Sequence, residues 1–311
     1  MEDFIVCLNA VFPIFMVMAL GYIARLTGIV KKEEVSRLSA LAFNVFLPIM
    51  LFYNVCESDI SSVVRPKYLL FLVVALAVIY TFAFIYVMFT EKETLKKGVK
   101  IQGIFRNNTA AVGLTVMQNI FGDEVGAYMV GVAVLVPLMN ALAVITLELF
   151  NGRKPELKEL LRRIVTNPLI IGSLLGLAFL LSGLKFPVFI EKGLKMTANV
   201  STPFMLFSLG AFFSFRGMGK YLKDIIEINI IKMLIVPAFT LVAACLMGFR
   251  GLEYVGILSM FGSSSAVSSF AMTQQIGGDD HLAAYLVVTT SVFSLFTFFI
   301  FLYISKRLGL F

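Results

Sequence analysis

Two stretches of this chain are near copies of each other: NVFLPIMLF at 44–52 and NVSTPFMLF at 199–207. Asn44 pairs with Asn199, Pro48 with Pro203, Met50 with Met205 and Phe52 with Phe207, all at an offset of 155. The same offset aligns FPIFMVMALGYIARLTGI (12–29) with NPLIIGSLLGLAFLLSGL (167–184), where Gly21 matches Gly176 and Gly28 matches Gly183. At an offset of 156, FRNNTAAVGLTVMQNIFGDE (105–124) lies over FGSSSAVSSFAMTQQIGGDD (261–280). Collinear matches across three segments identify an internal duplication, and a duplication restricts the fold more than any single motif does.

The copies are built of membrane-spanning material. Of 311 residues, 59% are hydrophobic and only 14% are charged, against about 25% charged in soluble domains. Ten segments approach the length of about 20 apolar residues that a helix needs to cross the hydrocarbon core: 4–26, 34–56, 68–90, 97–120, 125–150, 165–183, 188–214, 224–248, 250–276 and 281–305. The expected fold is therefore an all-α integral membrane protein of ten transmembrane helices. Residues 1–150 form the first repeat, 151–164 a linker and 165–311 the second repeat. Five spans per copy is an odd number, so the second copy enters the membrane from the opposite side. That inverted-topology plan is common among secondary transporters.

Basic residues orient the spans. Sixteen fall on one side, in the clusters Arg25–Arg37, Lys92–Lys100, Arg153–Arg163 (with Lys154) and Arg216–Lys223. Eight fall on the other: Arg65, Lys67, Lys185, Lys192, Lys195, Arg250, Lys306 and Arg307. This asymmetry makes the linker cytoplasmic and places both termini outside the cytoplasm. The chain is then a multi-pass protein of the cell membrane, and its net charge of +7 reports cytoplasmic loops rather than nucleic acid. Within the linker, LKELLRRI reads as a short interfacial helix. The acidic start MEDFIVCLNA has no cleavage pattern and is read as part of the first span rather than a removed signal.

The least apolar spans are 97–120 and 250–276, and their polar runs match in depth. RNNT sits at the middle of one, GSSS at the middle of the other. Asn and Ser compete for backbone hydrogen bonds and Gly weakens a helix interior, so both helices are expected to break near the midplane. Broken helices expose N–H groups suited to an anion. The candidate binding residues are Asn107, Asn108, Thr109, Ser263, Ser264 and Ser265. Arg106 either meets the substrate or snorkels to the cytoplasmic side. Lys232, inside the eighth span, invites a role in proton coupling or in structure. Pro48 and Pro203 are expected to kink spans two and seven. Asn44 and Asn199, four residues earlier, either repair the freed backbone or line a cavity. Asn140, in the fifth span, joins the candidates. Gly172 and Gly176 form a close-packing GxxxG.

Other chemistry is poorly supported. Cys7, Cys56 and Cys245 show no CxxC, and His281 is the single histidine. There is no GxxxxGK[ST], no HExxH and no GxSxG, so neither an ATP-driven motor, an enzyme nor a cofactor is expected. No paired carboxylates mark the midplane.

ALAFNVFLPIMLFYNV, NNTAAVGLTVMQNIFGDE and NVSTPFMLFSLGAFF resemble the auxin efflux carrier family, over nearly the whole chain. The likeness extends to bacterial permeases proposed for malate or malonate, within the wider bile/arsenite/riboflavin transporter superfamily. The resemblance implies a scaffold of spans one, two, six and seven and a transport part of spans three to five and eight to ten. It also implies a homodimer, elevator-type alternating access and a substrate carboxylate held where helices four and nine cross. Plant members typically carry Pro-Asn-Thr at that point. Here it reads Asn107-Asn108-Thr109, which gives Asn108 the binding amide. The expected substrate is a small mono- or dicarboxylate, with H+ or Na+ as coupling ion. A sodium-coupled symporter of the bile acid type, or a ligand-binding membrane sensor without flux, are the alternatives.

Overall fold

The structure is a computed structural model and describes residues 2–57, 65–153 and 157–311. Lys154 lies outside the described residues. The chain is all-helical, with no strand among the described residues. Helix α1 spans Glu2–Leu26 and α2 Lys32–Leu41; a wide π-type turn over Ala42–Phe46 leads into α3, Leu47–Cys56. Then come α4 (Pro66–Thr90), α5 (Thr94–Phe105), a second π-type turn (Thr109–Gly113), α6 (Leu114–Phe121) and α7 (Gly126–Leu149). The second half holds α8 (Leu157–Val165), α9 (Pro168–Ser182), α10 (Val188–Phe212), α11 (Leu222–Ile230), a π-type turn (Ile231–Ile235), α12 (Val236–Leu246), α13 (Gly251–Phe261), α14 (Ser268–Ile276) and α15 (Asp280–Arg307).

Among the described residues, six helical stretches are long and apolar enough to cross a membrane, Ile5–Leu26, Glu33–Cys56, Pro66–Thr90, Gly126–Leu149, Met218–Leu246 and Asp280–Arg307, or seven if the bent pair Leu157–Val165 and Pro168–Ser182 is one span. The other four expected spans fall short for physical reasons. Segments 97–120 and 250–276 are each interrupted. Helix α9 has only 15 residues and meets α8 at a 54° bend. The first two turns of α10 carry Glu191, Lys192 and Lys195. Large apolar side chains such as Phe12, Met16, Leu20, Val74, Ile85 and Phe296 are exposed. An apolar surface of that extent belongs against lipid rather than water.

Prolines shape two of the spans. Pro48 and Pro237 each follow a π-type turn within three residues, because a ring without an N–H cannot complete the preceding helical turn and the backbone widens to absorb it. Pro203 lies inside α10, which continues as one helix of 25 residues.

Helices α1 and α10 touch backbone to backbone. A Cβ added to Gly210 would stand 1.9 Å from the Met18 carbonyl oxygen, and one added to Gly21 would stand 2.0 Å from that of Phe207. Helices α3 and α9 do the same. A Cβ on Gly176 would lie 2.8 Å from the Phe52 oxygen and one on Gly172 2.6 Å from that of Pro48. Small residues permit this approach where lipid supplies no hydrophobic drive between helices.

At the other end of the α4–α5 pair, Lys100 Nζ is buried among three carboxylates: Asp224 at 2.7 Å, Glu91 at 2.9 Å and Glu227 at 3.3 Å. The cluster fastens the α4–α5 turn to α11. Burial pushes the Glu91 carboxyl up, but hydrogen bonds from Lys100 and from the backbone N–H groups of Glu93 and Lys92 outweigh it and hold it below the usual range.

Candidate functional site

Helix α5 stops at Phe105, Arg106 is extended, and residues 106–108 are non-helical before the π-type turn. An interruption frees backbone groups that have no water to turn to, and three of the carbonyls find side-chain donors. Asn107 Nδ2 donates to the Phe105 oxygen at 2.9 Å. Tyr128 Oη donates to the Thr109 oxygen at 2.9 Å. Lys232 Nζ donates to the Arg106 oxygen at 3.2 Å and also to Asn107 Oδ1.

The second interruption lies between α13 and α14, at residues 262–267. The two meet through main chain: Asn108 N–H donates to the Ser264 carbonyl at 2.8 Å. Ser265 N–H donates to Thr290 Oγ1 at 3.0 Å, and Ser265 Oγ to the Gly103 oxygen at 3.1 Å.

Arg106 does not snorkel. Its side chain is 2% exposed and lies across the second interruption. Nη2 donates to Ser268 Oγ at 2.7 Å and to Asn140 Oδ1; Nη1 contacts Ser269 Oγ at 3.5 Å and Met272 Sδ at 2.6 Å. All these partners are neutral. Lys232 is 0% exposed, and its recorded partners are neutral too. Lys232 thus braces the first interruption while the Arg106 side chain reaches the second, and neither forms an ion pair among the described residues.

A cavity of about 640 Å³ opens beside them. Arg106, Asn107, Asn108, Thr109 and Asn140 form its polar wall. Asn199, Thr202, Met50 and Met205 face them from α3 and α10, and the space reaches Glu57 and Gly126. Asn108 Nδ2 and Thr109 Oγ1 are buried without a hydrogen-bond partner. A buried donor left unpaired costs about 1–3 kcal/mol, so an amide of this kind at a cavity wall is suited to a ligand.

The remaining candidates sit elsewhere. Ser263, Ser264 and Ser265 are buried behind the wall and do not line the cavity; Ser268, the first residue of α14, does. Asn44 faces outward, where its amide donates to the Ala40 oxygen at 2.9 Å. Pro48 presents its carbonyl to Gly172, and Pro203 stays within α10 away from the wall. Sequence reasoning did not place Lys232 in the site. Its signal was available, since a lysine in an apolar span must find partners there.

The model of the membrane transport protein family matches residues 6–159 and 155–302. The chain belongs to that family, the auxin efflux carriers. This membrane transporter is 23% identical over 299 residues to an uncharacterized transporter of Methanocaldococcus jannaschii, covering 93% of this chain and 95% of the relative. It is 24% identical over 254 residues to an uncharacterized transporter of Methanothermobacter thermautotrophicus, covering 79% of this chain and 81% of the relative.

Proposed function

We propose that this transporter carries a small organic anion, a mono- or dicarboxylate, by alternating access. The observation that carries the reading is Arg106: a buried guanidinium at a cavity wall, paired only with neutral groups. Such a group supplies an anion with charge that no protein carboxylate has claimed. In this reading Asn108 and Thr109 complete the cradle, and Asn140 and Ser268 hold the guanidinium in place.

The reading takes ten spans as two inverted repeats. Contacts that repeat with the sequence offset support it. Gly21 packs on Phe207 and Gly176 on Phe52, and each residue of the first pair has its counterpart 155 positions away in the second. Helices α1, α2–α3, α9 and α10 then form the scaffold, and the rest the moving part. In the orientation set by the basic residues, Glu57 and Gly126 lie at the extracytoplasmic end, so the cavity faces outward. Phe212 packed on Phe270 at 4.8 Å closes the opposite end.

A specific contact favours proton coupling or uniport over sodium. The freed Arg106 carbonyl, which a sodium ion would coordinate, is already occupied by the Lys232 ammonium. The test is uptake of labelled malonate, malate and other carboxylates into proteoliposomes, alongside ligand-induced thermal stabilisation. Saturable uptake of a carboxylate is the expected result. Cation or neutral-solute uptake with no response to any carboxylate would overturn the reading.

A further inference from the structure

A second cavity, of about 570 Å³, lies between the C-terminal end of α1, the end of α10 and the start of α15. It shares no residue with the cavity at the interruption. Arg25, Lys31, Arg216 and His281 supply most of its polar wall. Arg25 is fixed in place: Nη1 donates to the Phe212 carbonyl at 3.0 Å, and the guanidinium stands 5.6 Å from the centre of the Tyr22 ring. None of Arg25, Lys31 and Arg216 forms an ion pair among the described residues. The neighbouring Glu34 carboxylate is engaged with the Lys31 backbone N–H at 2.7 Å. Three like charges around one space repel each other until an anion joins them. A guanidinium pair with a lysine matches the several oxygens of a phosphate.

The surroundings say what kind of phosphate compound fits. Leu26, Ile29 and Phe215, each next to or near a lining residue, are 66%, 77% and 69% exposed. Tyr22 meets Phe215 edge-on at 6.2 Å. The pocket therefore borders an apolar surface that faces the bilayer. A water-soluble anion uses only the charges; an amphiphile uses both.

We propose that this pocket holds the phosphate headgroup of an anionic phospholipid, with its acyl chains along Leu26, Ile29 and Phe215. Basic pockets between membrane helices are suited to such headgroups. A lipid there bridges α1 and α10 to α15. The site does not depend on the anion-transport reading, and its test involves no flux.

The experiment compares the purified full chain in detergent supplemented with phosphatidylglycerol or phosphatidylcholine. The readouts are thermal midpoint and lipid retention by native mass spectrometry. Phosphatidylglycerol should raise the midpoint and remain bound; phosphatidylcholine should do neither. The double variant Lys31→Gln/Arg216→Gln changes two exposed side chains and spares the Arg25–Phe212 bond. It should weaken phosphatidylglycerol binding about tenfold and leave the midpoint in phosphatidylcholine unchanged. Three results would overturn the proposal: equal effects of the two lipids, an undiminished phosphatidylglycerol effect in the double variant, or full stabilisation by inorganic phosphate alone. The last would assign the pocket to a soluble phosphate compound.

Discussion

The backbone N–H of Asn108 donates to the carbonyl oxygen of Ser264 at 2.8 Å, and these residues are also counterparts in the duplicated sequence, 156 positions apart. Main chain joins the interruptions at this point, beside the Ser265 Oγ bond to the Gly103 oxygen, and the Asn108 side chain is not needed for it. Its amide nitrogen has no partner.

Asn108→Ala separates the two roles. The main-chain joint survives, so the thermal midpoint should stay within about a degree or two. A hydrogen bond to a charged ligand contributes about 1.5–3 kcal/mol, so carboxylate affinity should fall about ten- to a hundredfold. Uptake assays and ligand-induced thermal shifts on the same preparation check both halves. Unchanged uptake would place the ligand elsewhere.

Lys232 bears on coupling. Replacing sodium by choline should leave carboxylate uptake by the wild-type protein unchanged. Lys232→Met should lower the thermal midpoint by several degrees, because the Arg106 carbonyl and Asn107 Oδ1 each lose a donor at about 1–3 kcal/mol apiece. A wild-type protein that sodium stabilises would contradict the assignment.

The Lys100 cluster makes the fold acid-sensitive. Glu91 is held below the usual value of 4.5. A carboxyl whose folded value is depressed contributes stability above its unfolded value and loses it as pH falls through the folded one. The thermal midpoint should therefore drop as the pH is lowered through and below 4.5. Glu91→Gln should start lower at neutral pH and show a shallower drop. An equal slope in the variant would remove Glu91 from the account.

Gly210→Ala and Gly193→Ala test the helix seams within one helix. The new methyl at 210 would meet the Met18 oxygen at 1.9 Å, whereas nothing lies within 4 Å of one at 193. The first should cost about 1–3 kcal/mol by overpacking. The second should be neutral or add up to about 1 kcal/mol through helix propensity. Thermal unfolding of the two side by side is the measurement.

Much of the site was legible because its local chemistry is strong. RNNT and GSSS mark the places where α5 and α13 stop, as residues that compete for backbone hydrogen bonds should. What packing decides was not legible. Asn44 and Asn199 occupy matching positions, yet one faces outward and the other lines the cavity. The π-type turn before Pro48 has no equivalent before Pro203, and a widened turn rotates everything around it. Ser263, Ser264 and Ser265 are polar enough to bind a ligand, but they lie buried away from the cavity. Lys100 finds Asp224 across more than a hundred residues of chain, a pairing that no periodicity encodes. The interruptions that the polar runs mark also divide segments 97–120 and 250–276 into shorter helices.

The glycine contacts between α1 and α10, and between α3 and α9, carry a mechanical consequence. A seam from which side chains are missing has no rotamers to exchange, so it cannot creep; it stays closed or comes apart. The cavity wall opposite Arg106 is built differently, with Met50, Thr202 and Met205, and thioether chains readjust to a changing neighbour. The methionine-lined wall can therefore reshape around a changed occupant, while the glycine seams hold their geometry.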